Sequence, residues 1–179
     1  MRVGTANYEE VLLPHLDAAY NLARWLTRDE RDAEDIVQEA YLRAIKHFAT
    51  FRGGNARPWV LTIVRNTYYT WIHRNRLTEA LDPSDVEEDN LISEAPNPEM
   101  LLLQESDKQL VRRALQKLPT HFLEVIVLRE FEELSYQQIA DLVQVPIGTV
   151  MSRLARARKL LAQLVINYCR EVAAEEVAV

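Results

Sequence analysis

Cysteine occurs once in the 179 residues, at Cys169, so an intrachain disulfide, a CxxC redox pair and a cysteine zinc site are excluded. Only four glycines are present, too few for a turn-rich β protein. The four histidines (His15, His47, His73, His121) stand far apart without HxxxH spacing, and no metal or cofactor is expected. The Asp, Glu, His and Ser residues form no nucleophile elbow, phosphate loop or metal signature, so the chain is not expected to be an enzyme. No uncharged apolar run approaches spanning length, and the N-terminus lacks the basic-then-apolar pattern of a secretory signal. A cytoplasmic protein without membrane insertion is expected. One sign of charge is also locally missing. No base lies between Leu77 and Asp107, which hold ten acids. No acid lies between Ala40 and Arg76, with seven bases, or between Leu142 and Arg170, with five. The formal charge of -6 therefore averages over two basic stretches and an acidic one; without the acidic segment, 21 bases face 17 acids, a net of +4.

What is present is ordinary for a soluble globular protein: 48% hydrophobic and 27% charged residues, in a length that suits one domain or two small ones. Val11, Leu12, Leu16, Ala19, Tyr20, Ala23 and Leu26 recur at helical spacing, predicting a first helix over Tyr8 to Leu26, with Pro14 in its first turns or at a kink. In TRDERDAEDIVQEAYLRAIKHF, residues Ile36, Val37, Ala40, Tyr41, Ala44, Ile45 and Phe48 form one apolar face, and the acidic start suits a helix N-terminus. ATFRGGNARP breaks the pattern. A third helix is expected from about Pro58 to Arg76, with Trp59, Ile63, Val64, Tyr68, Trp71 and Ile72 as its apolar side; core packing is the expected role of Trp59. Residues 77–97 read as a linker, Asn97-Pro98-Glu99 as a helix start running to about Lys117, and Thr120 as the cap of a helix ending near Glu130. The predicted fold is all-α: two small helical domains, 1–76 and 98–170, joined by the acidic linker 77–97 and followed by a tail, 171–179, with no assigned role.

The second domain ends in a helix-turn-helix. Ser135-x-x-Gln138 is a capping-box pattern, Ala140 is small where a second helix would cross, and Gln144-Val145-Pro146 is the turn, with Thr149 as the expected cap of the next helix. On that helix Val150, Leu154, Ala157 and Leu161 share one face. Ser152, Ala155, Arg156 and Lys159 lie opposite, flanked by Thr149, Met151, Arg153 and Arg158. Arginine is the commonest bidentate reader of guanine in the major groove, while lysine and serine hold phosphates.

DAEDIVQEAYLRA (32–44), FRGGNARPWVLTIVRN (51–66) and the helix-turn-helix, in that order, resemble the extracytoplasmic-function sigma factors of bacterial RNA polymerase from about residue 8 to 165. The resemblance implies a subunit that binds core polymerase, recognises and melts promoter DNA, and is held inactive by an anti-sigma factor until a signal. It assigns Asp32, Asp35, Gln38, Glu39 and Arg43 to the clamp of the largest polymerase subunit; four of these, Asp35, Gln38, Glu39 and Arg43, share a polar helix face. It assigns Phe51, Arg52, Gly53, Asn55, Arg57, Arg65, Asn66, Tyr69 and Arg74 to the minus-ten element. Seven of the 14 aromatics lie between residues 40 and 76 beside the seven bases, and FRGGNA is the candidate trap for an unstacked nucleotide. Ser135, Tyr136, Gln137, Thr149, Met151, Ser152, Arg153, Arg156, Arg158 and Lys159 are assigned to the minus-thirty-five element. Thr70 departs from the family pattern, standing where aspartate is usual; Gln138 replaces glutamate, Gln144 glycine and Leu123 arginine. A free-standing helix-turn-helix regulator is the competing reading, but it leaves DAEDIVQEAYLRA and FRGGNARPW without a role.

Overall fold

The computed structural model describes residues 8–79 and 106–177, and every regular element among them is helical. The acidic stretch 80–105, with the expected start at Asn97, lies outside the described residues. Pro14 resolves the first helix into two pieces: α1 (Tyr8–Leu12) and α2 (Leu16–Thr27), with a 3₁₀ turn over Leu13–His15 between them. Ala18, Ala19, Leu22, Ala23 and Leu26 form the buried stripe of α2. Arg28 ends that helix in the left-handed region, and the Asp29 carboxylate then accepts hydrogen bonds from the amides of Arg31 (2.8 Å) and Asp32 (3.0 Å), starting α3 (Glu30–Lys46). Those amides hold the Asp29 carboxyl below its ordinary pKa. α3 buries Ala33, Ile36, Val37, Ala40 and Ala44. Ile45, expected on the same face, is exposed beside Leu42, because it rotates away from Ala44 at the helix end. α4 (Ala56–Glu79) packs on α2 and α3 through Val60, Leu61, Val64 and Tyr68.

The C-terminal unit holds α5 (Ser106–Gln116), α6 (Thr120–Ile126), α7 (Tyr136–Val143) and α8 (Ile147–Val177). Pro119, not Thr120, is the N-cap residue of α6, and no side chain closes that end. The Val127–Phe131 segment continues α6 as one π turn, in which the Glu132 amide donates to the Val127 carbonyl at 3.1 Å. The capping box at Ser135 and Gln138 forms in both directions, at 3.2 and 2.8 Å. Thr149 is not a cap: α8 starts two residues earlier, and the Thr149 amide already donates to the Pro146 carbonyl at 2.8 Å. Val150, Leu154 and Ala157 of α8 are buried with Ile139, Ala140, Leu142 and Val143 of α7.

The two units also pack against each other. α2 meets α6 and the π turn, and α4 meets α7. Their buried side chains form one continuous cluster.

Candidate nucleic-acid interface

α4 places its polar side chains on two separate faces, because successive residues turn by about 100°. One face adjoins the loop 51–55. Gly53 and Gly54 are exposed there with φ of 84° and 87°, a conformation that side-chain-bearing residues adopt only with strain. Asn55 accepts the Arg57 amide at 3.0 Å and begins the helix. Phe51 packs at a tilt against Trp59 with ring centroids 5.2 Å apart, which holds one end of the loop on the helix. Beside it lies an open cleft of about 290 Å³ lined by Arg43, His47, Thr50, Trp59, Ile63 and Asn66. Trp59 is half-buried, so it serves both the core and this wall. Thr70, the departure from the family pattern, spends its hydroxyl on the Asn66 carbonyl at 2.8 Å. Arg74 donates to Glu39 at 2.9 Å, and Glu39 also accepts from Arg43 at 2.5 Å.

Glu39 is therefore a strut between α3 and α4. Burial raises its pKa, but the hydrogen bonds from Arg74 and Arg43 outweigh it and hold the carboxyl below its ordinary value. Asp35 and Gln38 are exposed on α3, and Asp32 is partly buried, its pKa raised by burial and then by Asp29 and Asp35. Leu42, 64% exposed, continues the Asp35 and Gln38 face as an apolar patch. A single leucine off the core stripe is common and carries little signal by itself; its offset of seven from Asp35 is what places it on this face.

The other face of α4 carries Arg57, Arg65 and Tyr69, and it is turned toward the C-terminal unit. Arg65 Nε donates to Glu124 Oε1 at 2.6 Å and its guanidinium lies over the Tyr69 ring, 4.6 Å from the centroid. Glu124 is 1% exposed; burial pushes its carboxyl pKa up, with Arg65 pulling the other way and burial prevailing. Arg57 donates to Glu132 Oε2 at 2.5 Å, and Asn21 Nδ2 donates to Glu132 Oε1 at 2.6 Å. Arg28 donates to the Leu118 carbonyl at 2.9 Å, and Trp25 packs on Phe131 with centroids 5.6 Å apart. Tyr68, behind this face, has its phenol pushed by burial to about 12. The nine residues assigned to the minus-ten element thus fall into two groups. Phe51, Arg52, Gly53, Asn55, Asn66 and Arg74 lie on or near the cleft side, whereas Arg57, Arg65 and Tyr69 line the seam between units.

α8 presents a different picture. Met151, Ser152, Ala155, Arg156 and Lys159 are exposed, opposite the buried Val150, Leu154 and Ala157. Among the described residues none forms an ion pair with Arg156 or Lys159. Arg158 pairs with exposed Glu130 at 2.6 Å, while Arg153 is half-buried on the flank that faces Glu124 and Tyr69. Thr149 is half-buried, Gln137 is turned to Asp141 at 2.8 Å, Tyr136 is covered by the Arg129 guanidinium, and Ser135 is committed to its cap. Gln144, at φ 57°, occupies the left-handed turn position with a side chain glycine would lack.

Comparison with known proteins divides the chain at the same place. Residues 12–78 match the model of sigma-70 region 2 and residues 108–161 that of sigma-70 region 4. The chain is 36% identical over 137 residues to the ECF RNA polymerase sigma-E factor of Escherichia coli K12, covering 73% of this chain and 72% of the relative. It is 30% identical over 168 residues to the ECF RNA polymerase sigma factor SigE of Mycolicibacterium smegmatis; the match covers 93% of this chain and 65% of the relative's length. Among solved structures, the sigma factor RpoE of Bartonella quintana, in complex with the anti-sigma factor NepR, superposes with a TM-score of 0.71 at 29% identity, covering 88% of this chain and 96% of that one.

Proposed function

The chain belongs to the sigma-70 family, in its extracytoplasmic-function branch, and from that premise we propose that it is a promoter-recognition subunit acting in the cytoplasm with no catalysis of its own. It binds core polymerase through the exposed α3 face of Asp35, Gln38 and Leu42, opens the minus-ten element at the 51–55 loop and its cleft, and reads the minus-thirty-five element with α7 and α8. The observation that carries this reading is the α8 face: Ser152, Arg156 and Lys159 stand exposed over a fully buried Val150–Leu154–Ala157 stripe that packs on α7, itself started by a closed capping box. A helix held that firmly by one face and left polar on the other suits entry into the major groove. The Bartonella sigma factor was captured with an anti-sigma factor; by analogy, this chain is held in check by a partner of that class.

Transcription by purified core polymerase, with and without the protein, on a promoter library tests the reading. Stimulation from a defined subset of promoters is expected. Tight sequence-specific binding to duplex alone, without stimulation, would establish a free-standing regulator instead. Asp35→Arg is expected to weaken core binding while leaving duplex binding by the C-terminal unit in place; unchanged core affinity would remove α3 from the docking surface.

A further inference from the structure

Among the described residues the only buried charged side chains are Glu124 and Glu132, and both point across the seam between the two units. Glu124 sits inside the apolar run FLEVIVL, and Glu132 is delivered to the seam by the π turn. Their partners, Arg57 and Arg65, come from a stretch without a single acid to neutralise them locally. Carboxylate and phosphate present similar paired oxygens to a guanidinium.

We propose that the seam is a phosphate-mimicking latch: Glu132 and Glu124 occupy Arg57 and Arg65, so that the closed chain withholds this face of α4 from the DNA backbone while leaving the α8 reading face open. Two features make it a latch rather than a permanent joint. Buried ion pairs contribute little net stability, because desolvation offsets their attraction, so a competing anion can displace them. The fit is also incomplete: Arg57 Nε is buried without a hydrogen-bond partner, and an unpaired donor favours an arrangement that satisfies it. The proposal deepens the promoter-binding role given to α4, but its first readout, the shape of the free chain, does not depend on that role.

The test uses the full chain without polymerase. Small-angle scattering reports compactness, and fluorescence anisotropy reports affinity for a random-sequence duplex at fixed salt. Glu132→Arg opposes Arg57 with like charge, and Glu133→Arg makes the same charge change at an exposed neighbour. Glu132→Arg is expected to enlarge the radius of gyration and to tighten duplex binding by about tenfold more than Glu133→Arg does. Asn21→Asp is the sharper variant, because it sets a carboxylate against Glu132 in nearly the same shape. Added negative charge alone weakens DNA binding, whereas an opened latch strengthens it; a larger radius with tighter binding is expected. Equal effects of Glu132→Arg and Glu133→Arg, or weaker or unchanged binding by Asn21→Asp, would overturn the proposal. So would an expanded chain with no gain in affinity, which would make the seam architecture alone. Circular dichroism at wild-type helicity confirms that each variant is folded. Loss of transcription with the latch intact would count against the proposed function and not against the latch.

Discussion

α4 as far as Arg76 and α8 as far as Arg170 both come from stretches without acids, yet they reach opposite conditions. Three arginines of α4 are engaged one by one: Arg74 by Glu39 within the N-terminal unit, Arg57 and Arg65 by the acids of the other unit. On α8 the central Arg156 and Lys159 have no ion-pair partner among the described residues, and Arg158 shares only an exposed pair of the kind worth under about 1 kcal/mol. Local charge pattern thus identifies a basic surface but does not say whether water or a carboxylate faces it. The difference is set by position. α4 is the central wall of its unit and meets the neighbour, while α8 turns its polar face outward.

That contrast can be broken in order of effect. Arg65→Ala leaves Glu124 buried without its cation and is expected to cost about 3–5 kcal/mol of stability, read from urea unfolding. Arg156→Ala, on the open face, is expected to stay within about 0.5 kcal/mol of wild-type stability. Its cost falls instead on promoter choice, about 1–3 kcal/mol of preference at one base pair of the upstream element, measured by competition binding. A uniform loss over all sequences would make Arg156 a phosphate contact. Gln144→Gly relieves the left-handed side chain at the mount of α8 and is expected to add about 1 kcal/mol of stability, seen as a higher melting temperature with unchanged base preference. The smallest effect is with pH. Glu124 has its pKa raised by burial, so the stability linked to its titration is fully present below the ordinary glutamate range and is lost as pH rises through the raised value. The stability difference between wild type and Glu124→Gln should therefore shift against wild type from about pH 5 upward, and a flat difference would show Glu124 unperturbed.

Much of this was legible in the residues. The Ser135 capping box, the Val150–Leu154–Ala157 stripe and the break at Gly53-Gly54 depend on a few neighbouring residues, and the structure has each in place. Two expected caps were displaced, since Pro119 and Pro146 fix the chain before Thr120 and Thr149 and start each helix early. Ile45 left the core because helix periodicity does not say where a helix stops being covered. The seam was illegible for a deeper reason: its partners stand 59, 75 and 111 residues apart, and no short-range pattern links them. One hint existed. A glutamate within FLEVIVL requires a cation from elsewhere, and the sequence offers many without saying which.

α8 runs unbroken from Ile147 to Val177, carrying the exposed Ser152–Arg156–Lys159 face on its first turns and, through Leu160, Leu161 and Leu164, the packing of its middle turns against the core. A single helix has a fixed phase: one residue more or less between Arg156 and Leu164 would rotate one face against the other by about 100°. The Cα–Cβ directions of Ser152, Arg156 and Lys159 are consequently fixed relative to that packed face. Their bearing is set by Val150, Leu154 and Ala157 beneath them and by the leucines further along the same helix, so any force that turns the C-terminal unit turns that exposed face by the same angle.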